Sequence, residues 1–319
     1  FPEAAGEGIK GVFSFGNVSE VSMKVSLSSV SVDGALLNLK MECPHWDFDK
    51  YVHDAKTNWN ERLNVIQAEF TSSEEKINFY TSMYHAMLGP TLYMDINGEY
   101  RGLDQRIHQA DGFVNYTTFS LWDTYRAQHP FLNLVFPETN ADMIQSMLAH
   151  YDQSVHHMLP VWSHYANENW CMIGYHSVSV LADAMVKGNR GFDYSRALNA
   201  AVTTSNQRFY EGLGAYMEYK YVPEDKSGNS VSKTLEYAYD DWCIAQMAMH
   251  LNSDSIFSMY QKRSEYYQNQ FDPVIGFMRP RLSNGSFKKE FDVLSTHGQG
   301  FIEGNAWNYS LYVPENPKK

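Results

Sequence analysis

The sequence predicts a mainly α-helical protein, an incomplete helical toroid preceded by a few β-strands that need a sheet to join. Two observations carry this. The hydrophobic period changes from two to about 3.6 near Trp46, and from there one helix signal follows another, separated by loops of mixed length. No internal repeat of fixed period is present, which disfavours an α-solenoid. In a toroid, loops and helix ends line the inner mouth, where the acidic and aromatic motifs of this chain fall.

In chain order, Val21, Met23, Val25 and Leu27 alternate with Ser22, Lys24, Ser26 and Ser28, the pattern of a half-buried strand. Val32-Asp33-Gly34 reads as a turn and Leu36–Met41 as a further strand. Two or three strands are marginal alone and need a sheet to join. Ala55, Trp59, Leu63 and Ile66 form a helical stripe. Ser72-Ser73-Glu74-Glu75 predicts a helix start and Gly89-Pro90 a stop. Further helices are expected over residues 141–151, 174–187, 194–210, 232–249 and 253–269.

The 319 residues suffice for one large domain or two unequal ones. A formal charge of −12, without any Lys/Arg cluster, excludes a nucleic-acid backbone as partner and favours a neutral ligand. No apolar run is long enough for a transmembrane helix. Cys43, Cys171 and Cys243 make neither a disulfide framework nor a metal knuckle and are expected as small buried hydrophobes. The start at Phe1 carries no signal peptide and looks cut. No HExxH, EF-hand spacing, phosphate loop or GxSxG elbow occurs, so no metal ligand is assigned.

Three blocks can carry chemistry. Gly300–Tyr309, reading GFIEGNAWNY, places Glu303 between glycines that allow close backbone approach, with Asn305 as an amide donor and Trp307 as an apolar wall. Glycosidic cleavage uses two carboxyl groups, one of which protonates the leaving oxygen, and Glu303 suits that acid. The competing reading has Glu303 cap a helix starting near Asn305. In Ser120–Arg126, Trp122, Asp123 and Arg126 combine a ring, a charge acceptor and a guanidinium. They could clamp sugar hydroxyls, or Asp123 and Arg126 could form a local i,i+3 ion pair. In LEYAYDDW, Glu236 and Asp240 lie one turn apart beside Asp241. Something must neutralise them: a proton, a metal, a sugar hydroxyl, a base such as Lys233, or an arginine elsewhere.

Ordered along the chain, these blocks resemble those of the glycoside hydrolase family 92 α-mannosidases. The resemblance rests on Ser26–Ser31 with Gly34-Ala35, Trp46–Asp49, Phe79–Thr81, Asp95–Gly102, Phe119–Arg126, Met158–Trp162, Cys171–His176, Ala182–Ala184, Lys233–Trp242 and Gly300–Tyr309. It implies an N-terminal β-sandwich, with residues 1–45 as the terminal strands of its C-terminal remnant, followed by an (α/α)6 toroid, with residues 46–319 as its N-terminal and central part, that removes terminal α-linked mannose with inversion. It implies Glu303 as catalytic acid, Asp123 as a residue holding the mannose, and Trp122 and Arg126 as pocket walls. Glu236, Asp240, Asp241, Asn305 and Trp307 would support them from behind. It also implies Ca2+ on the mannose hydroxyls, with ligands and water-activating aspartates expected mainly beyond residue 319. The partners would then be a mannose-containing glycan and the remaining segments of the same enzyme, as one chain or separate chains. A periplasmic, secreted or outer-surface lipoprotein of a bacterium is expected. The alternative is a carbohydrate-binding remnant without turnover.

Overall fold

The structure is a computed structural model that describes residues 6–318. It is mainly helical, with helix-on-helix packing of part of an α/α toroid. Three helices come first: α1 (Val32–Glu42), α2 (Phe48–Leu63) and α3 (Ser73–Ala86). Five short strands follow, β1 (Thr91–Leu92), β2 (Glu99–Arg101), β3 (Ile107–Gln109), β4 (Tyr116–Thr117) and β5 (Phe119–Ser120). The helical body then runs through α4 (Leu121–Thr124), α5 (Gln128–Val135) and α6 (Pro137–Gln153). After strand β6 (Trp162–Ser163) come α7 (Ser177–Val186), α8 (Tyr194–Thr204), α9 (Leu213–Tyr219), α10 (Ser230–His250) and α11 (Asp254–Arg263). A 3-10 turn (Tyr266–Gln270), the hairpin β7 (Phe271–Asp272) with β8 (Phe277–Met278), and α12 (Ala306–Tyr309) complete it. The strands pair antiparallel in four two-stranded ladders, β1 with β4, β2 with β3, β5 with β6, and β7 with β8.

The two expected N-terminal strands are not there. Leu36–Met41 lies inside α1, because Ser31 caps the helix by accepting from the Gly34 N–H at 2.9 Å and Asp33 sits in its first turn. The alternating residues Val21, Met23, Val25 and Leu27 are all exposed and belong to no ladder. Alternation alone does not make a strand when no neighbouring strand offers its backbone. The segment is instead tied by side chains to the β2–β3 region. Asp95 accepts from Ser28 Oγ at 2.6 Å and Asn38 Nδ2 at 2.8 Å, and Arg101 Nε donates to the Ser29 carbonyl at 2.8 Å. The strands that precede the helical body are therefore β1–β5.

The helix signals place most of their elements, although the helices expected over 194–210 and 253–269 end sooner, at Thr204 and Arg263. Ser72 caps α3 through the Glu75 N–H at 3.2 Å, although the Glu75 carboxylate reaches back to Thr71 rather than closing a box on Ser72. The stripe on α2 is only lightly used. No α2 residue is fully buried, and Trp59 packs edge-on against Tyr84 at 4.5 Å. The core sits elsewhere, where α10 packs against α7 and α11, and α6 against α5 and α7. Ile144, Met147, Leu148, Leu181, Met185, Ile244 and Met247 are fully buried there. Of the cysteines, Cys243 is buried as expected, Cys43 half-buried and Cys171 exposed.

Candidate active site

The site is organised by a carboxylate on α10 that nothing in solution reaches. Glu236 is completely buried. Its Oε1 accepts from Trp122 Nε1 at 2.9 Å and Arg126 Nη2 at 3.3 Å. Its Oε2 accepts from Tyr312 Oη at 2.6 Å. Thus the Ser120–Arg126 block and the chain just after the Gly300–Tyr309 block meet on one side chain. The Arg126 guanidinium also lies over the rings of Tyr125 and Tyr312, at 4.9 and 5.4 Å, and the two tyrosine hydroxyls are bonded to each other.

The repulsion foreseen between Glu236 and Asp240 is resolved by His176, which enters from the residue before α7. Its Nδ1 lies 2.8 Å from Asp240 Oδ1 and its Nε2 3.1 Å from Glu236 Oε2. The first is a hydrogen bond. The second is an ion pair whose N–H is poorly aligned with the oxygen. Burial by itself lowers the His176 pKa, but Asp240 and Glu236 together outweigh it and raise it to about 9, so the ring is an imidazolium. Burial pushes Glu236 upward, yet His176, Tyr312 and Trp122 hold it below the usual carboxylate range. Tyr125 stacks on the imidazolium at 4.2 Å and 14°. Gly174 makes this possible: at φ +77° a Cβ there would come within 2.3 Å of His176 Nε2.

Lys233 does not serve this pair. It bonds Glu211 at 2.6 Å and Ser227 at 2.9 Å. Asp241 turns the other way into the core, where it accepts from Arg263 Nε at 2.9 Å, Tyr216 Oη at 2.9 Å and Tyr175 Oη at 2.8 Å. Neighbouring helix positions diverge, so Asp240 and Asp241 cannot share a partner.

Asp123 does not pair with Arg126, contrary to the local ion pair considered above. Arg126 is committed to Glu236, and Asp123, which is exposed, accepts from Ser120 Oγ at 2.5 Å. Trp122 is 8 % exposed and its N–H is taken by Glu236, so it offers a ligand little of its face and no donor.

The Gly300–Tyr309 block is pinned to the start of α10. That helix begins at a left-handed Asn229 without a side-chain cap, and the Gly300 carbonyl accepts from its Val231 and Ser232 N–H groups at 2.9 and 3.2 Å. A Cβ at Gly300, φ +82°, would strike Pro280 at 2.5 Å. Ile302 N then donates to Ser232 Oγ at 3.0 Å, and Tyr309 Oη to the Ile302 carbonyl at 2.9 Å. Between these anchors Glu303 is exposed, with a left-handed φ of +50°. It caps nothing. Asn305 caps α12, with Asn308 returning the bond to the Asn305 N–H. Trp307, expected as an apolar wall, is 56 % exposed and packs edge-on against Phe277 at 5.0 Å. The Tyr309 hydroxyl that bonds the Ile302 carbonyl, one residue before Glu303, is pushed up to about 12 by burial.

His176, Tyr125 and Tyr312 were missed as site residues. The acid pair on α10 was itself the signal for a buried cation, but sequence spacing does not say which base supplies it. Among the described residues no group of three His, Cys, Asp or Glu side chains is placed to hold a metal ion. Asp240 Oδ2 accepts from the Tyr175 N–H at 2.7 Å, so the oxygens of Glu236 and Asp240 are all taken and this buried pair does not fit a calcium ion.

The profile of the glycosyl hydrolase family 92 catalytic domain matches residues 34–319. The chain belongs to this family. It is 48 % identical to the family GH92 alpha-mannosidase BT3965 from Bacteroides thetaiotaomicron, with a TM-score of 0.86 over 90 % of this chain and 38 % of that one. It is 31 % identical to the GH92 inverting mannosidase BT2199 from the same bacterium, with a TM-score of 0.84 over 90 % of this chain and 40 % of that one. An uncharacterized secreted glycosidase of the fungus Arthroderma benhamiae is 25 % identical over 93 % of this chain and 39 % of its own length. The chain thus spans about two-fifths of the length of these relatives.

Proposed function

We propose that this chain is part of an enzyme that hydrolyses terminal α-linked mannose with inversion. The observation that carries the reading is the meeting on Glu236 of the Ser120–Arg126 block and of Tyr312, just after the Gly300–Tyr309 block, within a family whose similar members are mannosidases. In this reading Glu303 donates a proton to the leaving glycosidic oxygen. Its carboxyl has no bonding partner among the described residues and sits on a backbone anchored from both sides, so it is free to meet a ligand. Asp123 accepts hydrogen bonds from the sugar hydroxyls, and Ser120 orients it. Trp122 and Arg126, locked by Glu236, form the floor behind it. The water-activating carboxylate is proposed to come from outside these residues. The same holds for the donors of the calcium expected from the resemblance.

Residues 1–45 remain proposed as the edge of a separate N-terminal domain, on the strength of their exposed apolar side chains. An extracytoplasmic location is proposed from the resemblance and from the relative described as secreted. Among the described residues no helix is long and apolar enough to cross a membrane.

The test is the anomer first released from an aryl α-mannoside by the full-length enzyme, followed by NMR. The β-anomer is expected. Initial release of the α-anomer would overturn inversion, and no release would favour the binding-remnant alternative.

A further inference from the structure

Sugar pockets need an apolar ring face as well as polar groups, and the ring expected to provide one, Trp122, is buried with its N–H engaged. The β5–β6 ladder supplies another. Ser120 pairs directly with Trp162, and Phe119 with Ser163. Directly opposed residues point to the same face of a ladder. Phe119 and Ser163 go into the core, at 2 % and 5 % exposure. Ser120 and Trp162 therefore share the outer face, where the Ser120 hydroxyl holds Asp123 and the Trp162 ring is half-buried.

The strand continues into a hairpin built with unusual effort. Ser163 bridges to Glu168. His164 and Asn167 exchange backbone bonds of 2.7 and 3.1 Å around a two-residue tip, Tyr165-Ala166, with both residues left-handed at φ +46° and +57°. Such a tip normally takes Asn-Gly. Here two strained non-glycine residues are held by outside bonds: Tyr165 N donates to Thr117 Oγ1 at 2.9 Å, and Gln105 Nε2 to the Ala166 carbonyl at 2.9 Å. At the root, the Glu168 carboxylate, 3 % exposed, accepts the Val161, Trp162 and Trp170 N–H groups at 2.9, 2.9 and 3.0 Å. Strain that the surroundings over-determine points to function. What this strain displays is aromatic: Trp162 and His164 in contact at 5.8 Å, His164 and Tyr165 at 4.2 Å, with Tyr165 55 % exposed. Three residues of strand rise carry this row roughly 10 Å away from Ser120, further than one sugar ring needs.

We propose that the hairpin 162–169 is a sugar-stacking wall that takes the apolar face of a second sugar unit, next to the mannose held at Asp123. This deepens the function proposed above and rests on it. The wall would make the site selective for a glycan over an isolated mannoside.

The experiment compares kcat/KM of the full-length enzyme and its Trp162→Ala, Trp162→Phe and His164→Ala variants on an α-linked mannobiose and on an aryl α-mannoside. Trp162→Ala should lose about tenfold on the disaccharide through KM, the worth of roughly 50 Å² of apolar contact, and much less on the aryl mannoside. Trp162→Phe should keep most of the wild-type value. His164→Ala, which leaves the Glu168 bonds intact, should show a smaller loss of the same kind. Unchanged KM for the disaccharide in both alanine variants, or equal losses on both substrates, would overturn the wall. Asp123→Ala separates the two claims: if it too leaves both substrates unaffected, the underlying assignment of the site has failed, and not only the wall.

Discussion

Two regions of this molecule are written in the same residue types and use them in opposite ways. Around α10, Glu236, Asp240 and Asp241 are completely buried, and each is held by donors: Glu236 by Trp122, Arg126 and Tyr312, Asp240 by His176 and the Tyr175 N–H, and Asp241 by Arg263, Tyr216 and the Tyr175 hydroxyl. At the surface, Asp123 has one hydroxyl partner, and Glu303 stands on a left-handed residue without capping anything. The difference teaches how to sort acidic motifs. A buried carboxylate with every oxygen occupied is scaffold, because removing its partners costs more than any ligand could return. A carboxylate left under-bonded on an anchored backbone is available for chemistry.

The sharpest break of this comparison is on the buried side. Arg263→Ala would leave Asp241 charged in the core, and a loss on the order of 3–5 kcal/mol is expected by urea unfolding. A loss below about 1 kcal/mol would show that Asp241 is not scaffold. His176→Gln should cost on the order of 3 kcal/mol near neutral pH, and it also carries a sign. The folded-state pKa of His176 is raised, so its stabilisation is complete below the unfolded value near 6.5 and is lost as pH rises through about 9. Wild-type stability should therefore fall across that window, and the variant should be flatter there. Parallel profiles would contradict the imidazolium.

On the exposed side, Asp123→Ala should weaken a mannose-like inhibitor by roughly 1.5–3 kcal/mol in calorimetry. Its stability should stay within about 0.5 kcal/mol of wild type. Because Arg126 is bound to Glu236 rather than Asp123, Arg126→Ala and Asp123→Ala should add to within about 0.5 kcal/mol, whereas Arg126 and Glu236 substitutions should not. The smallest effect belongs to Glu303→Gly. Glycine accepts φ +50° without strain, so stability should be unchanged or raised by about 1 kcal/mol. A marked loss in thermal unfolding would make Glu303 structural.

The helices were legible because their caps and periods are local: Ser72 and the stripe on α10 act within a few residues. The strand expected at Leu36–Met41 failed because Ser31 and Asp33 favour a helix start that the β-like pattern conceals. The candidate-site residues Trp122, Asp123, Arg126, Glu236 and Glu303 were legible as members of the motif blocks. Their division of labour was not. Whether Arg126 turns to Asp123, three residues away, or to Glu236, 110 residues away, is decided by packing that no local pattern records. His176 and Tyr312 are likewise fixed by long-range contacts.

The central claim, that Glu303 supplies the proton for glycosidic cleavage, is tested most directly by leaving-group dependence. Glu303→Gln in the full-length enzyme is assayed on an alkyl- or sugar-linked α-mannoside and on an activated aryl α-mannoside. The account predicts a loss on the order of 10²–10⁴-fold on the first and a far smaller loss on the second, whose departure needs little protonation. Equal losses on the two substrates would contradict it.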